Sequence, residues 1–417
     1  MNRGLVSGTL AFFSGFAAVA LFGTTVLKVG PILKLNLIES SWLVAIPLVT
    51  GAFLRIPFSL LVDKLSRWVL AIQLIIGLIG LIGIIYTLEK IYVFPHMLIY
   101  ELLLIFGAIA GTGISTFSSG ITYVSYFYPQ SKQGTALGIF AGLGNTAPGI
   151  FTVILPFALG TLGLIYSYIA WAIFLTTMII IYIIISIDPP YIKFIKEGRS
   201  KEEAERLTRN LGINVIPTDS LKQSIKTAVS DGKVWLLTFM YFTSFGGFEA
   251  LTEWLPTYWK GLYHVPPVEA GILTGVVYSL ITALIRVFGG YASDKVGGEL
   301  ISLISFITML GGSLIFMFSY AFTVSILAEV VMAIGMGIAN GAVYKLVPKY
   351  SPKAVSGASG WVGGIGSAGG LLIPPAMGYI ASMTNFSTAF SVFVVISMIS
   401  AIFSIELLRK YGRKEIY

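Results

Sequence analysis

Leu54-Arg55-Ile56-Pro57 and Ile285-Arg286-Val287-Phe288 each set an arginine inside an apolar stretch, and each arginine is followed eight residues later by Asp-Lys, Asp63-Lys64 and Asp294-Lys295. Apolar runs of about 20 residues, the length that crosses a bilayer, recur around both. Eight residues of helix rise about 12 Å, and half a hydrocarbon core is about 15 Å thick. With both aspartates at one membrane surface, both arginines therefore fall near the midplane. An arginine there costs about 2.5–3.5 kcal/mol on insertion scales. A charge carried at that cost in matching places of two halves is expected to be used, and its simplest use is to hold an anion. The plainer alternative is an ion pair that only stabilises the fold, but no Asp or Glu lies within two turns of either arginine on its own helix.

Composition supports a membrane setting. Of 417 residues, 56% are hydrophobic and 11% charged, against about 25% charged in a soluble protein, and mean hydropathy is +0.88. The net charge of +8 is not a nucleic-acid footprint, because the basic residues fall in short loops; no nucleic-acid partner is expected. The absence of cysteine excludes disulfides and thiolate metal sites. The two histidines, His96 and His264, lie in loops, so no histidine metal or catalytic site is expected. No nucleophile–base pair stands out either, which argues against an enzyme and against a cofactor. Met1-Asn2-Arg3-Gly4 leads straight into an apolar stretch without a cleavage site, which predicts a retained first span.

The hydropathy pattern predicts an all-α integral membrane protein of twelve spans, near 6–28, 40–62, 68–88, 97–127, 134–160, 162–187, 234–258, 268–293, 298–319, 322–347, 353–382 and 385–408. Residues 188–233 interrupt them with nine Lys/Arg and seven acids, and Ser200 to Leu211 read as an amphipathic helix. This divides the chain into a six-helix bundle at 1–187, a linker loop at 188–233 and a second six-helix bundle at 234–417. Basic loop residues set orientation. With both termini in the cytoplasm, 21 of the 27 Lys/Arg lie inside, among them Arg3, Lys64, Arg67, Lys132, Lys295, Lys345, Lys349, Lys353, Arg409, Lys410, Arg413 and Lys414. Lys28, Lys34, Lys90 and Lys260 lie outside. A monomer in the cell membrane, contacting lipid and a small anion, is the expected assembly.

The halves repeat. Besides the Arg–Asp spacing, Gly142-Leu143-Gly144-Asn145 matches Gly364-Ile365-Gly366-Ser367. Two parallel six-span halves with a substrate site between them is the major facilitator architecture. Small residues at this spacing let helices approach and pivot, so Gly142, Gly144, Gly364 and Gly366 are candidate hinge positions, although generic packing uses the same residues. Asn145 offers an amide on the glycine face, able to donate to a ligand. Pro148, Pro156, Pro374 and Pro375 are expected to bend these helices.

Taken together, these motifs resemble the nitrate/nitrite porter family of the major facilitator superfamily over nearly the whole chain. The likeness rests on Arg55-Ile56-Pro57 with Asp63, Phe117 upstream of Tyr126-Phe127-Tyr128-Pro129, Ala141-Gly142-Leu143-Gly144-Asn145, Thr243-Ser244-Phe245-Gly246-Gly247-Phe248, Arg286 with Gly289-Gly290 and Ser293-Asp294, and Gly337-Ile338-Ala339-Asn340-Gly341-Ala342-Val343. The resemblance implies that Arg55 and Arg286 grip the anion from opposite halves and that Asn145 contacts it. It implies that Phe117, Tyr241 and Phe245 sandwich it, and that Asp63, Lys64, Asp294 and Lys295 form the inner-loop motif. A guanidinium fork suits the edge of a flat oxyanion. The chain departs from the family at Ser367, where some members carry asparagine, at Ala147-Pro148, and at Ser59, where glycine is common.

Coupling follows from the acids. Proton symport needs an ionisable group in the pathway. Glu249 and Glu253 are expected in the outer half of the seventh span, Glu329 in the outer part of the tenth and Glu101 near the start of the fourth, none beside the arginines. Two cations without a central acid favour nitrate/nitrite antiport in nitrate assimilation, with nitrate–proton symport as the alternative. A monocarboxylate or cyanate is the rival cargo, and a non-transporting anion sensor the rival class.

Overall fold

The structure is a computed structural model that describes residues 2–213, 221–351 and 354–411. Pro352, Lys353, Arg413 and Lys414 lie outside the described residues. Among those described, ten helices are long and apolar enough to cross a membrane, from Asn2–Ala20 to Thr388–Tyr411. An eleventh span is the pair Leu37–Phe53 and Arg55–Leu65, bent by 42° at Leu54. The stretch expected as one span at 353–382 is instead two helices, Val355–Gly366 and Gly369–Met383, parted at Ser367-Ala368.

Helix Trp68–Glu89 shows why these segments belong in lipid. It buries Leu70, Leu74, Leu81, Ile84 and Leu88 on one side, yet its opposite side exposes Ile75, Ile79, Ile82 and Tyr86. A helix in water makes its outer face polar, whereas one apolar all round sits in a core or a bilayer. Ile173, Ile180 and Ile184 repeat the pattern on Gly163–Ile185.

One end of the bundle gathers the N-terminus, the linker and the Asp-Lys pairs. There Arg3 donates to the carbonyl of Ile185 at 3.2 Å and Arg67 to that of Ser186 at 2.6 Å. Two cations thus satisfy the exposed last carbonyls of Gly163–Ile185 and meet the negative end of its dipole. Asp63 accepts from Tyr126, and Asp294 pairs with Lys345, while Lys295 sits over the Tyr291 ring at 4.7 Å. The amphipathic linker helix forms at Lys201–Asn210, capped by Ser200, which accepts from the Glu203 N–H. Leu221–Val229 packs on the C-terminal half, where Ser224 accepts from the Gly357 N–H at 3.0 Å.

At the opposite end the two halves meet backbone to backbone. A Cβ on Gly149 would lie 2.9 Å from the Gly275 carbonyl oxygen, and one on Gly378 would lie 2.1 Å from Ser41 Oγ. Lys260 donates to the Leu27 carbonyl across the same seam at 3.0 Å. Only glycine permits so close an approach, and it brings the two halves into direct contact there.

Candidate anion site

Arg55 begins the helix Arg55–Leu65, just past the bend. Pro57 lacks an N–H and crowds the preceding turn, which accounts for the break. The bend turns the side chain inward, where Arg55 is fully buried and all three guanidinium nitrogens donate. Nε reaches the Gly51 carbonyl at 3.0 Å, Nη1 the Gly363 carbonyl at 2.9 Å and Nη2 the Glu249 carboxylate at 2.8 Å. Gly363 and Glu249 both belong to the C-terminal half.

Arg286 comes from the other half, on Ile281–Val296. Its Nη2 donates to Tyr241 Oη at 3.4 Å, whereas its buried Nη1 has no partner. The two guanidinium groups flank one aromatic pair. Arg55 Cζ is 5.3 Å from both the Phe117 and Phe245 ring centres, and Arg286 Cζ is 5.9 Å and 5.5 Å from the same two. Those rings stack at 5.6 Å, and Phe245 in turn lies parallel to Tyr241 at 4.9 Å. Cations over aromatic faces gain about 0.5–2 kcal/mol each, which partly offsets the cost of holding two like charges close together, one of them fully buried.

The helix carrying Tyr241, Phe245 and Glu249 contains a π-turn at Phe242–Gly246. In an α-helix, residues eight apart drift by about 80° around the axis. The wider π-turn absorbs that drift and keeps the three side chains on the site-facing side. Gly366 is pressed onto Tyr241, where a Cβ would lie 2.9 Å from the ring, and Gly364 onto Ile56 at 3.2 Å. The second glycine motif thus crosses close to both the Arg55 helix and the aromatic pair.

Asn145 ends the helix Gln130–Gly144 and is buried, with neither its amide nitrogen nor its oxygen hydrogen-bonded. Its helix meets that of Arg286 where Gly142 faces Val287. Gly144 is packed against Phe12, but Gly142 has open space, with its nearest neighbour 3.9 Å from a Cβ position.

The structure brings together Arg55, Arg286, Phe117, Tyr241 and Phe245, and overturns one expectation. Glu249, expected apart from the arginines, is the ion-pair partner of Arg55. The partner comes from across the two halves, so a search along the arginine's own helix could not find it. The signal was its spacing, four residues beyond Phe245 and eight beyond Tyr241. Ser367 donates to the other Glu249 oxygen at 2.8 Å, and Tyr344 lies 6.0 Å from Arg286 Cζ; sequence reasoning assigned neither to the site. Glu253 is also buried, with both oxygens unpartnered, and Glu329 meets the Trp259 indole N–H at 3.4 Å.

Two helical halves packed around a pair of arginines, Arg55 fully buried and Arg286 half-buried, define a secondary transporter. The chain belongs to the Major Facilitator Superfamily, whose sequence profile matches residues 8–277 and 262–415. Among relatives, it is 27% identical over 380 residues to a "Probable nitrate transporter NarT" of Staphylococcus haemolyticus, covering 91% of this chain and 89% of that one. It is 26% identical over 430 residues to a "Probable nitrate/nitrite antiporter NarK1" of Thermus thermophilus, covering 96% and 89%. In fold it resembles the xylose transporter XylE from E. coli in a partially occluded inward open conformation, with TM-score 0.72, 15% identity and coverage of 98% and 99%. It also resembles a bacterial homolog of the human lysosomal transporter Spinster, with TM-score 0.65, 14% identity and coverage of 98% and 97%.

Proposed function

We propose that this protein carries nitrate or nitrite across the cell membrane by alternating access, holding the anion between Arg55 and Arg286. The observation that carries the reading is the set of buried donors left unused, Arg286 Nη1 and the Asn145 amide. Buried donors without partners cost about 1–3 kcal/mol each, and an oxyanion supplies acceptors for both. Stacked Phe117 and Phe245 limit the slot to a flat ion. The names of the relatives point to the same cargo. The termini lie in the cytoplasm by the distribution of basic residues, and the two six-helix halves on either side of residues 188–233 rock about the site.

The case for exchange loses one support, because the premise of a site without a central acid does not hold. Nitrate–proton symport becomes the first reading. Nitrate/nitrite antiport stays the second, favoured by the name of the Thermus thermophilus relative. Proteoliposomes separate them. Labelled nitrate should accumulate under an inward proton gradient in vesicles free of nitrite. Uptake that instead needs internal nitrite and ignores the gradient assigns exchange, and no uptake in either case removes the anion reading.

A further inference from the structure

We propose that Glu249 is a built-in counter-anion, occupying the edge of Arg55 that the substrate takes and giving it up on binding one proton. The proposal rests on the anion reading above and adds the residue through which a proton enters the cycle.

Arg55 has three donating nitrogens, and two are fixed on backbone carbonyls, those of Gly51 and Gly363. Only Nη2 is held by a side chain, and that side chain is itself an anion, at 2.8 Å. A nitrate that takes the Nη2 edge of Arg55 therefore competes with Glu249. Arg286 shows the contrast: among the described residues it has no acid partner, and its Nη1 is unpaired. The site in this state holds one arginine with a tethered anion and one arginine waiting for a free one.

Glu249 is placed to act as a switch. Ser367 donates to Oε2 at 2.8 Å, and a hydroxyl can equally accept, so it can serve both the carboxylate and the carboxylic acid. The opposite wall is backbone at Gly370, where a Cβ would sit 2.9 Å from Glu249 Cβ. A pair that only fastened the fold would tie together two halves that must part during transport.

The surrounding charges leave this role to Glu249. Arg55 faces it from the N-terminal half, and Tyr241 and Glu253 lie within electrostatic reach on its own span. Tyr278, on the adjacent helix, donates to the Gly247 carbonyl, and Glu329 faces Trp259. Lys28 and Lys260 serve the carbonyls of Leu159 and Leu27, and Glu39 caps its own helix at Asn36. Arg286 sits across the Phe117–Phe245 pair. Glu253, one turn from Glu249 and without partners, is the nearest acid through which a proton can arrive.

The cycle balances. A proton from the loading side bonds to Glu249 Oε1, the ion pair breaks, and the anion takes Nη2. When the anion leaves on the other side, the O–H bond breaks, the proton follows, and Glu249 returns to Arg55. One anion and one proton cross together, without net charge.

The test uses the full chain and nitrate as the probe. Purified wild-type protein in weak buffer should take up close to one proton per nitrate bound on the alkaline side of the profile. Its nitrate affinity should there fall about tenfold per pH unit, as the competent fraction falls. Glu249→Gln should bind nitrate with the same affinity across that range and lose accumulation driven by a pH gradient, whereas Glu249→Asp should keep the pH slope. A wild-type affinity that is flat with pH and a nitrate titration that takes up no proton would overturn the proposal while leaving the anion site standing. So would a Glu249→Gln protein that keeps the wild-type slope. No nitrate binding at any pH would overturn the anion reading itself and this proposal with it.

Discussion

Arg55 and Glu249, from opposite halves of the chain, pair at 2.8 Å with both side chains at 0% exposure. A buried pair is not a large net stabiliser, because desolvation consumes most of the attraction, but removing one member strands the other at a cost of about 3–5 kcal/mol. Arg55→Ala should therefore lower thermal stability more than Arg286→Ala, which strands no acid. The double variant Arg55→Ala/Glu249→Ala should recover a large part of the loss, as a double-mutant cycle by thermal unfolding will read. Equal losses for Arg55→Ala and Arg286→Ala would mean that the pair is not formed in the resting protein.

Asn145 separates binding from stability. Its amide is buried and unpaired in this state, so Asn145→Ala should leave unfolding unchanged or slightly improved. Nitrate affinity should drop by about ten- to a hundredfold, the range for a lost hydrogen bond to a charged group. An unchanged affinity, measured by titration, would take Asn145 out of the site.

Phe245 is the ring against which Phe117, Tyr241 and Phe16 all stack. Phe245→Ala should cost about 3–5 kcal/mol of stability, as large-to-small core changes do. Competition assays should also show sulfate and other tetrahedral anions inhibiting nitrate uptake, which the intact slot resists. A variant that keeps wild-type selectivity would show that the ring packs the core without shaping the slot.

Two glycines give opposite expectations. A Cβ on Gly246 would lie 2.6 Å from Gly369 Cα and 2.7 Å from the Gly366 carbonyl, with no flexible side chain to yield. Gly246→Ala should therefore sharply reduce the yield of folded protein. Gly142→Ala meets nothing closer than 3.9 Å and should fold normally, with any defect confined to transport rate.

The gross design was readable because it is written in single-residue patterns. Apolar runs marked most of the membrane-length helices, and the matched Arg55 and Arg286 pointed to two side chains that meet over one aromatic pair. The break at Leu54 and the split at Ser367-Ala368 were harder to read, since Pro57 and a run of glycines permit a bend without fixing its place. Glu249 and Ser367 were missed for a different reason. Their roles depend on which helices of the two halves meet, a long-range relationship that periodicity within one helix does not carry. The π-turn at Phe242–Gly246 deepened the difficulty by altering which residues share a face.

The central claim is that the anion sits between Arg55 and Arg286, and the most direct measurement is nitrate binding to the purified Arg286→Ala protein. Arg286 supplies an unpaired buried donor and, among the described residues, pairs with no acid, so its loss should leave the fold intact. Isothermal titration of nitrate should give measurable binding for the wild type and none for Arg286→Ala, with Arg286→Lys restoring little because an ammonium lacks the planar fork. Nitrate affinity in Arg286→Ala within threefold of wild type would contradict the account.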